Sequence, residues 1–321
     1  MVFDTQFNIQ QIVISCCLEA TMIKIAFGKE YHHELPANHR FPMEKYTLIP
    51  EQLMYEGSFT SENFFEPLPI DKSALLAVHD KEYIRKLDNG LLHRKEERRI
   101  GFPWSKSLIK REELITSGTL QGALYALEEG VAFNVAGGTH HAYRDRGEGF
   151  CIYNDIAVAA QFLLDHKNAG KILVVDLDVH QGNGTAKIFE RESRVFTFSM
   201  HGAKNYPLHK EQSDLDIGLS GDISDVDYLN LLKKNYYYLV EKVKPDIIFY
   251  QSGVDILEND RLGKLSITKA GVRERDIIVF GKAYHHQIPV MTSMGGGYAR
   301  HIRHIVDAHC NTYRIAKEIY D

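Results

Sequence analysis

The chain has 321 residues, 44% hydrophobic and 25% charged, with 24 Gly and 9 Pro. This is an ordinary globular composition, which excludes collagen-like, low-complexity and disulfide-scaffold proteins. A formal net charge of −5 excludes the broad basic footprint of a nucleic-acid-binding domain.

Residues 9–18 form an apolar patch too short for a bilayer, which takes roughly 20 residues. No basic segment precedes it, so it does not read as a secretory signal. Residues 1–21 are expected to be an extension, because a strand-like run opens at Ile23-Lys24-Ile25-Ala26-Phe27. No linker-like composition or repeat divides residues 22–321, so they are expected to form a single domain with no membrane span. The mixed-sign run from His93 to Arg99 reads as a solvated loop or helix face. Cys16, Cys17, Cys151 and Cys310 are too sparse for a disulfide framework and suit a reducing cytosol, so a cytoplasmic location is expected.

Short apolar, β-branched runs occur at 133–136, 172–175, 195–198, 247–250 and 289–292. Amphipathic, helix-like segments lie at 155–166, 225–243 and 268–286. Strands buried on both faces and alternating with helices predict an α/β fold with a mainly parallel sheet. Each run is followed by polar or metal-competent residues: Gly137-Gly138-Thr139-His140-His141, Asp176-Leu177-Asp178-Val179-His180, Ser199-Met200-His201, Gln251-Ser252-Gly253-Val254-Asp255 and Gly295-Gly296-Gly297-Tyr298. In α/β sheets ligands bind beyond the carboxyl ends of the strands, so five such ends predict one shared site.

Asp178 and His180, one residue apart, leave the same side of an extended segment, and Asp255 supplies a third ligand from another strand end. Three ligands with an open fourth position describe catalytic zinc; an Asp-His-Asp set is hard enough to accept Fe²⁺ or Co²⁺ too. His140 and His141 can take and give protons, and the Tyr298 phenol can donate to an oxyanion. Asp176 is expected to partner one imidazole and Asn183 the other. An Asn brings no negative charge, so its histidine is expected to remain neutral.

Together these motifs, with Gly147-Glu148-Gly149-Phe150-Cys151-Ile152-Tyr153-Asn154-Asp155 and Asp178-Val179-His180-Gln181-Gly182-Asn183-Gly184, resemble the histone deacetylase family from about Met22 to the C-terminus. Asn38-His39-Arg40-Phe41-Pro42-Met43-Glu44-Lys45-Tyr46, His180-Gln181-Gly182-Asn183 and Asp255-Ile256-Leu257-Glu258-Asn259-Asp260-Arg261-Leu262-Gly263 resemble its class IV. Class I members usually carry His and Asp where this chain has Gln181 and Asn183, so a second His-Asp dyad is not expected. The resemblance implies an arginase-like fold with an eight-stranded sheet flanked by helices. It implies zinc on Asp178, His180 and Asp255, catalysis by His140 and His141, Asp176 orienting His140, and Tyr298 polarising the carbonyl. Gly149 and Phe150 would line a narrow tunnel, with Arg40 among the substrate-binding residues, and Cys151 beside that wall reads as a small buried apolar residue. Potassium would bind Asp176, Asp178, His180, Ser199 and Met200. The substrate implied is an acylated lysine of a protein or peptide, with long fatty-acyl chains favoured.

Three other readings remain. An acetylpolyamine amidohydrolase would use the same machinery under an acidic rim, for which 202–216, with Asp214 and Asp216, is one location. Asp176-Leu177-Asp178 could open a haloacid-dehalogenase-type phosphatase, and a silent acyl-lysine-binding module could keep the pocket without turnover.

Overall fold

Eight strands join one sheet in the computed structural model, which describes residues 22–321; the expectations for 1–21, Cys16 and Cys17 included, lie outside the described residues. They are β1 (Lys24–Ala26), β2 (Phe64–Phe65), β3 (Val131–Asn134), β4 (Ile172–Asp176), β5 (Val195–Gly202), β6 (Leu215–Leu219), β7 (Ile247–Gln251) and β8 (Val290–Ser293). Their order is β2-β1-β3-β8-β7-β4-β5-β6 and every pairing is parallel. β3, β4, β7 and β8 are buried at every position. Successive side chains point to opposite faces, so both faces of these strands are covered. At the edge, β6 alternates between exposed and partly buried residues before ending on buried Leu219.

The flanking helices are α1 (Lys45–Tyr55), α2 (Lys72–Val78), α3 (Lys81–Asn89), α4 (Arg94–Ile100), α5 (Lys106–Glu129), α6 (Asp155–Asp165), α7 (Asn183–Phe189), α8 (Asp225–Val243), α9 (Lys269–His285) and α10 (Ile302–Tyr320). The three amphipathic segments are α6, α8 and α9; their N-caps Asn154, Ser224 and Thr268 accept from the amides of Ala157, Asp227 and Gly271. The charged run becomes α4, opened by a capping box between His93 and Glu96.

Two strand C-terminal ends differ from expectation by more than one residue. β3 ends at Asn134 rather than 136, because the Asn134 side chain accepts from the Ala136 amide at 3.1 Å as the chain leaves the ladder. β5 continues to Gly202, because residues 198–202 pair with β6. Ser199, Met200 and His201 are therefore strand residues.

Two buried polar groups hold the loops beyond the strand ends. Asp155, the first residue of α6, accepts from the amides of Gly138 (3.0 Å) and Thr139 (2.7 Å) and from the Thr119 and Thr139 hydroxyls (2.6 Å each). Arg275 of α9 donates to the carbonyls of Gly253 (2.5 Å) and Ser252 (3.2 Å) while pairing with Asp276. These contacts position the turns that carry His140 and Asp255.

His79 joins the helices to this region. Its Nδ1 donates to the Tyr143 carbonyl (2.9 Å), which leaves Nε2 to accept from the Asn154 amide (3.0 Å), so the ring is held neutral. Burial lowers its pKa to about 4. The unfolded chain, near the ordinary 6.5, binds the extra proton first, so the fold loses stability as pH falls below 6.5 until about 4. Lowering the pH from about 7 to about 5 should cost about 2 kcal/mol through this residue. Urea unfolding of wild type and His79→Gln at both pH values checks it: the variant's pH-dependent loss should be smaller, and an equal loss in both proteins would refute the assignment.

Candidate metal centre and active site

The five strands whose ends carry the polar motifs, β3, β8, β7, β4 and β5, are consecutive across the sheet. Asp178, His180 and Asp255 are all buried there, and one potential ligand atom from each lies within 4.8 Å of the others. Each aspartate has an oxygen fixed by backbone: Asp178 Oδ2 accepts from the Gly296 amide (2.8 Å) and Asp255 Oδ1 from the Val179 amide (3.0 Å). His180 Nδ1 lies 3.1 Å from both Asp178 Oδ1 and Asp255 Oδ2. One N–H cannot point squarely at both acceptors, and Asp255 Oδ2 is buried without a directed donor.

That arrangement fits a cation. Burial and the neighbouring Asp178 carboxylate push Asp255 up to about 7. His180 rises to about 10: burial opposes its charge, but the Asp178 and Asp255 carboxylates outweigh burial. The group of two carboxylates and one ring nitrogen therefore attracts positive charge, and its hard, three-ligand chemistry suits Zn²⁺ with an open position, or Fe²⁺. Glycine makes room: a Cβ on Gly296 would run into Asp255 Oδ2 and Asp178 Oδ2, and one on Gly253 into Asp178 Oδ2.

The histidine pair sits beside this group with ring centroids 4.1 Å apart. His140 Nδ1 meets Asp176 Oδ2 at 2.7 Å, and His141 Nδ1 meets Asn183 Oδ1 at 2.6 Å. Burial alone would lower the pKa of His140, but the Asp176 carboxylate raises it. His141 is held well below 6.5 by burial and by the charges of His140 and His180. This direction favours the neutral form of the Asn-bonded imidazole, with burial as its first cause.

A carboxylate does stand behind Asn183. Its Nδ2 donates to Glu148 Oε1 (2.8 Å) and to the Tyr143 hydroxyl (2.9 Å), while the Tyr206 hydroxyl also donates to Glu148 Oε1 (2.8 Å). These contacts fix the amide so that its oxygen faces His141. His141 Nδ1 then carries hydrogen and Nε2 is left with a free lone pair. Gln181 clamps the 211–216 loop, bonding the Glu211 carbonyl (2.7 Å), the Glu211 amide (2.9 Å) and Asp216 (2.8 Å).

A cleft of about 380 Å³ leads to the centre and gathers Arg40, His141, Gly149, Phe150, His180 and Tyr298. Gly149 and Phe150 both have positive φ (59° and 68°). At Gly149 a Cβ would press on the His141 ring, and the strained Phe150 backbone turns its ring onto the cleft wall. Phe150 packs edge-on against Phe41 at 5.1 Å, and the Arg40 guanidinium lies 4.9 Å from its centroid. Tyr206 forms further wall, edge-on to His141 at 4.9 Å. Tyr298 is held by its amide, which donates to Asp260 Oδ2 at 2.6 Å. Burial and the Asp255 and Asp178 carboxylates raise its phenol well above 10, so it stays protonated as a donor.

Of the remaining expected residues, Ser199 lies in register beside Asp176, and its hydroxyl is 2.9 Å from His201 Nδ1; Met200 is fully buried. Cys151 is buried, and burial raises its thiol pKa, as suits a small apolar residue. The acidic rim sought at 202–216 is absent from the cleft: Asp214 accepts from Thr197, and Asp216 from Gln181 and Ser213. Asp176 cannot serve as a phosphatase nucleophile, because Oδ2 is bound to His140 and Oδ1 to the Asp178 amide. Sequence reasoning missed Tyr206 and the roles of Glu148 and Lys45. Lys45 of α1 is fully buried, donates to the Gly295 carbonyl (3.2 Å) and lies 5.5 Å from the Tyr298 ring centroid. Burial lowers its pKa to about 8 against the pull of Asp255, Asp178 and Asp260.

Residues 39–313 match the histone deacetylase domain. An uncharacterised protein of Picosynechococcus sp. is 42% identical over 92% of this chain and 99% of its own length. Histone deacetylase 2 of Arabidopsis thaliana is 30% identical, over 82% of this chain and 70% of its own. Acetoin utilization protein AcuC of Staphylococcus aureus is 28% identical, over 81% and 72%. A crystal structure of an HDAC homolog complexed with SAHA superposes with a TM-score of 0.80 at 24% identity, covering 92% of this chain and 84% of that one.

The close approach at Gly296 gives a test separable from turnover. Gly296→Ala should weaken zinc binding about 10–100-fold, read by metal titration of folded protein. Gly281→Ala in α9, where a Cβ meets nothing within 4 Å, should bind like wild type. Undiminished binding by Gly296→Ala would contradict the assigned ligand group.

Proposed function

This chain belongs to the histone deacetylase family, and we propose that it is a zinc-dependent amidohydrolase cleaving the amide of an Nε-acyl-lysine. The observation carrying the proposal is the buried Asp178–His180–Asp255 group beside two histidines with opposite proton demands, at the inner end of an aromatic-walled cleft.

A Zn²⁺ held by those three residues would supply Lewis acidity, making water nucleophilic near neutral pH and polarising the amide carbonyl. His141, neutral and with Nε2 free, takes the proton of the attacking water. It lines the cleft and therefore returns that proton to the departing lysine nitrogen. His140, favoured as imidazolium by Asp176, places positive charge beside the developing oxyanion. Tyr298 donates its phenol hydrogen to the same oxyanion. Gly149, Phe150 and Arg40 guide the lysine stem. Asp176, Asp178, His180, Ser199 and Met200 would hold potassium, and the register of Asp176 beside Ser199 supports that assignment.

Asn183 and Gln181 support a class IV reading, and with it a preference for long acyl chains. Cys151 and Cys310, free and buried, suit the cytoplasm; no helix among the described residues is long and apolar enough to cross a membrane. A polyamine would meet no carboxylate among the cleft-lining residues, so the protein or peptide lysine is the favoured substrate.

Acetyl-, octanoyl- and myristoyl-lysine peptides, assayed beside acetylputrescine with zinc content measured, test this reading. Turnover should track bound metal and disappear on chelation, with the longer acyl peptides fastest; full turnover by metal-free protein would refute the mechanism. Tyr298→Phe should reduce kcat by about 10²–10³ while leaving peptide binding nearly intact. Turnover equal to wild type would remove the phenol from the reaction and reopen the silent-module reading.

A further inference from the structure

The protein carries a net charge of −5, yet the residues lining the cleft include Arg40, Arg99, Lys204 and Lys264 and no carboxylate. All four are exposed. None has a carboxylate partner within 4.0 Å among the described residues, although elsewhere on the surface pairs such as Arg85–Glu82 and Arg194–Glu192 form readily. Lys264 Nζ instead donates to the Lys204 carbonyl at 3.1 Å, which brings a second cation to the same rim segment. The nearby acids are turned to internal work: Glu148 accepts from Asn183 and Tyr206, and Asp260 from the amides of Leu262, Gly263 and Tyr298. The positive field also extends outward. A neighbouring cavity of about 590 Å³ shares Arg40 and Tyr298 and adds Arg261, Arg300 and Arg303 against a single lining carboxylate, Glu44.

We propose that this enzyme selects acyl-lysines embedded in acidic peptide segments, with Arg40, Arg99, Lys204 and Lys264 engaging carboxylates on either side of the lysine. The proposal rests on the acyl-lysine hydrolase reading and deepens it. Acylation removes the lysine's own charge, so the flanking residues determine how the substrate meets the field. Four like charges around a low-dielectric opening concentrate anions and repel cations, and salt weakens the effect. The flanks lie outside the reacting amide and contact the rim equally in the ground and transition states, so the selectivity belongs in KM rather than kcat.

Three acetyl-lysine peptides of equal length, with Asp/Glu, Ser/Gly or Lys/Arg flanks, test this with zinc-loaded wild type and a Lys204→Glu/Lys264→Glu variant. Wild type should favour the acidic over the basic peptide by about 10-fold or more in kcat/KM at low salt. The preference should shrink toward unity near 1 M salt, where the Debye length is about 3 Å. The variant should lose or invert the ratio, and comparing two peptides on one preparation cancels any loss of folded enzyme. Binding of the same peptides, fluorescently labelled, is measured by anisotropy in parallel. Equal binding and equal kcat/KM for acidic and basic peptides, or an unchanged ratio in the variant, would overturn the proposal. Selective binding of the acidic peptide with no hydrolysis of any of the three would support the rim while refuting the hydrolase reading.

Discussion

Two buried carboxylates face one imidazole nitrogen, and much of the surrounding structure serves that contact. Asp178 and Asp255 are removed from water, where an ionised carboxylate is stable only when neighbouring groups replace its solvation. Backbone amides from Gly296 and Val179 supply part of that replacement, and buried Lys45 adds a positive charge at longer range. Asp255 Oδ2 remains without a directed donor, and a cation held there would complete its environment. Arg275 and Gly253 are placed as they are because the turn after β7 must deliver Asp255 while admitting the Asp178 side chain.

The histidine pair shows how environment separates two identical side chains. His140 rests on a carboxylate and His141 on an amide, so one ring is biased toward charge and the other away from it. Asn183 does not act alone. Glu148, Tyr143 and Tyr206 fix its amide orientation and so the hydrogen on His141 Nδ1, leaving Nε2 with a free lone pair. Glu148 therefore helps to set the tautomer of His141 through Asn183, with no direct contact between its carboxylate and the ring. Its commitment to this network also keeps one acid out of the cleft lining, so the orientation of Asn183 and the absence of a carboxylate from that lining involve the same side chain.

The sequence by itself determined which candidate metal-ligating and titratable residues stand at the strand ends. Asp178 and His180 are separated by one residue, His140 and His141 follow a Gly-Gly turn, and Tyr298 ends a glycine run; these are local facts, as are the short apolar runs that announce β3, β4, β5, β7 and β8. Helices α6, α8 and α9 are legible for the same reason, since each amphipathic pattern lies within one contiguous stretch of chain. The short edge strand β2 has only two residues, and β6 alternates with solvent, so neither carries the continuous apolar signal of a buried strand.

Only the tertiary structure decided which strands are neighbours, because crossover connections hide their order. It also decided that Glu148 backs Asn183 from 35 positions away, that Lys45 lies buried under the Tyr298 ring, and that Arg40, Arg99, Lys204 and Lys264 share one opening. These are long-range contacts, and the local motifs that contain Arg40 and Glu148 do not say which distant group each will meet. Residue type and local spacing specify what a side chain can do; packing specifies which distant group it does it with.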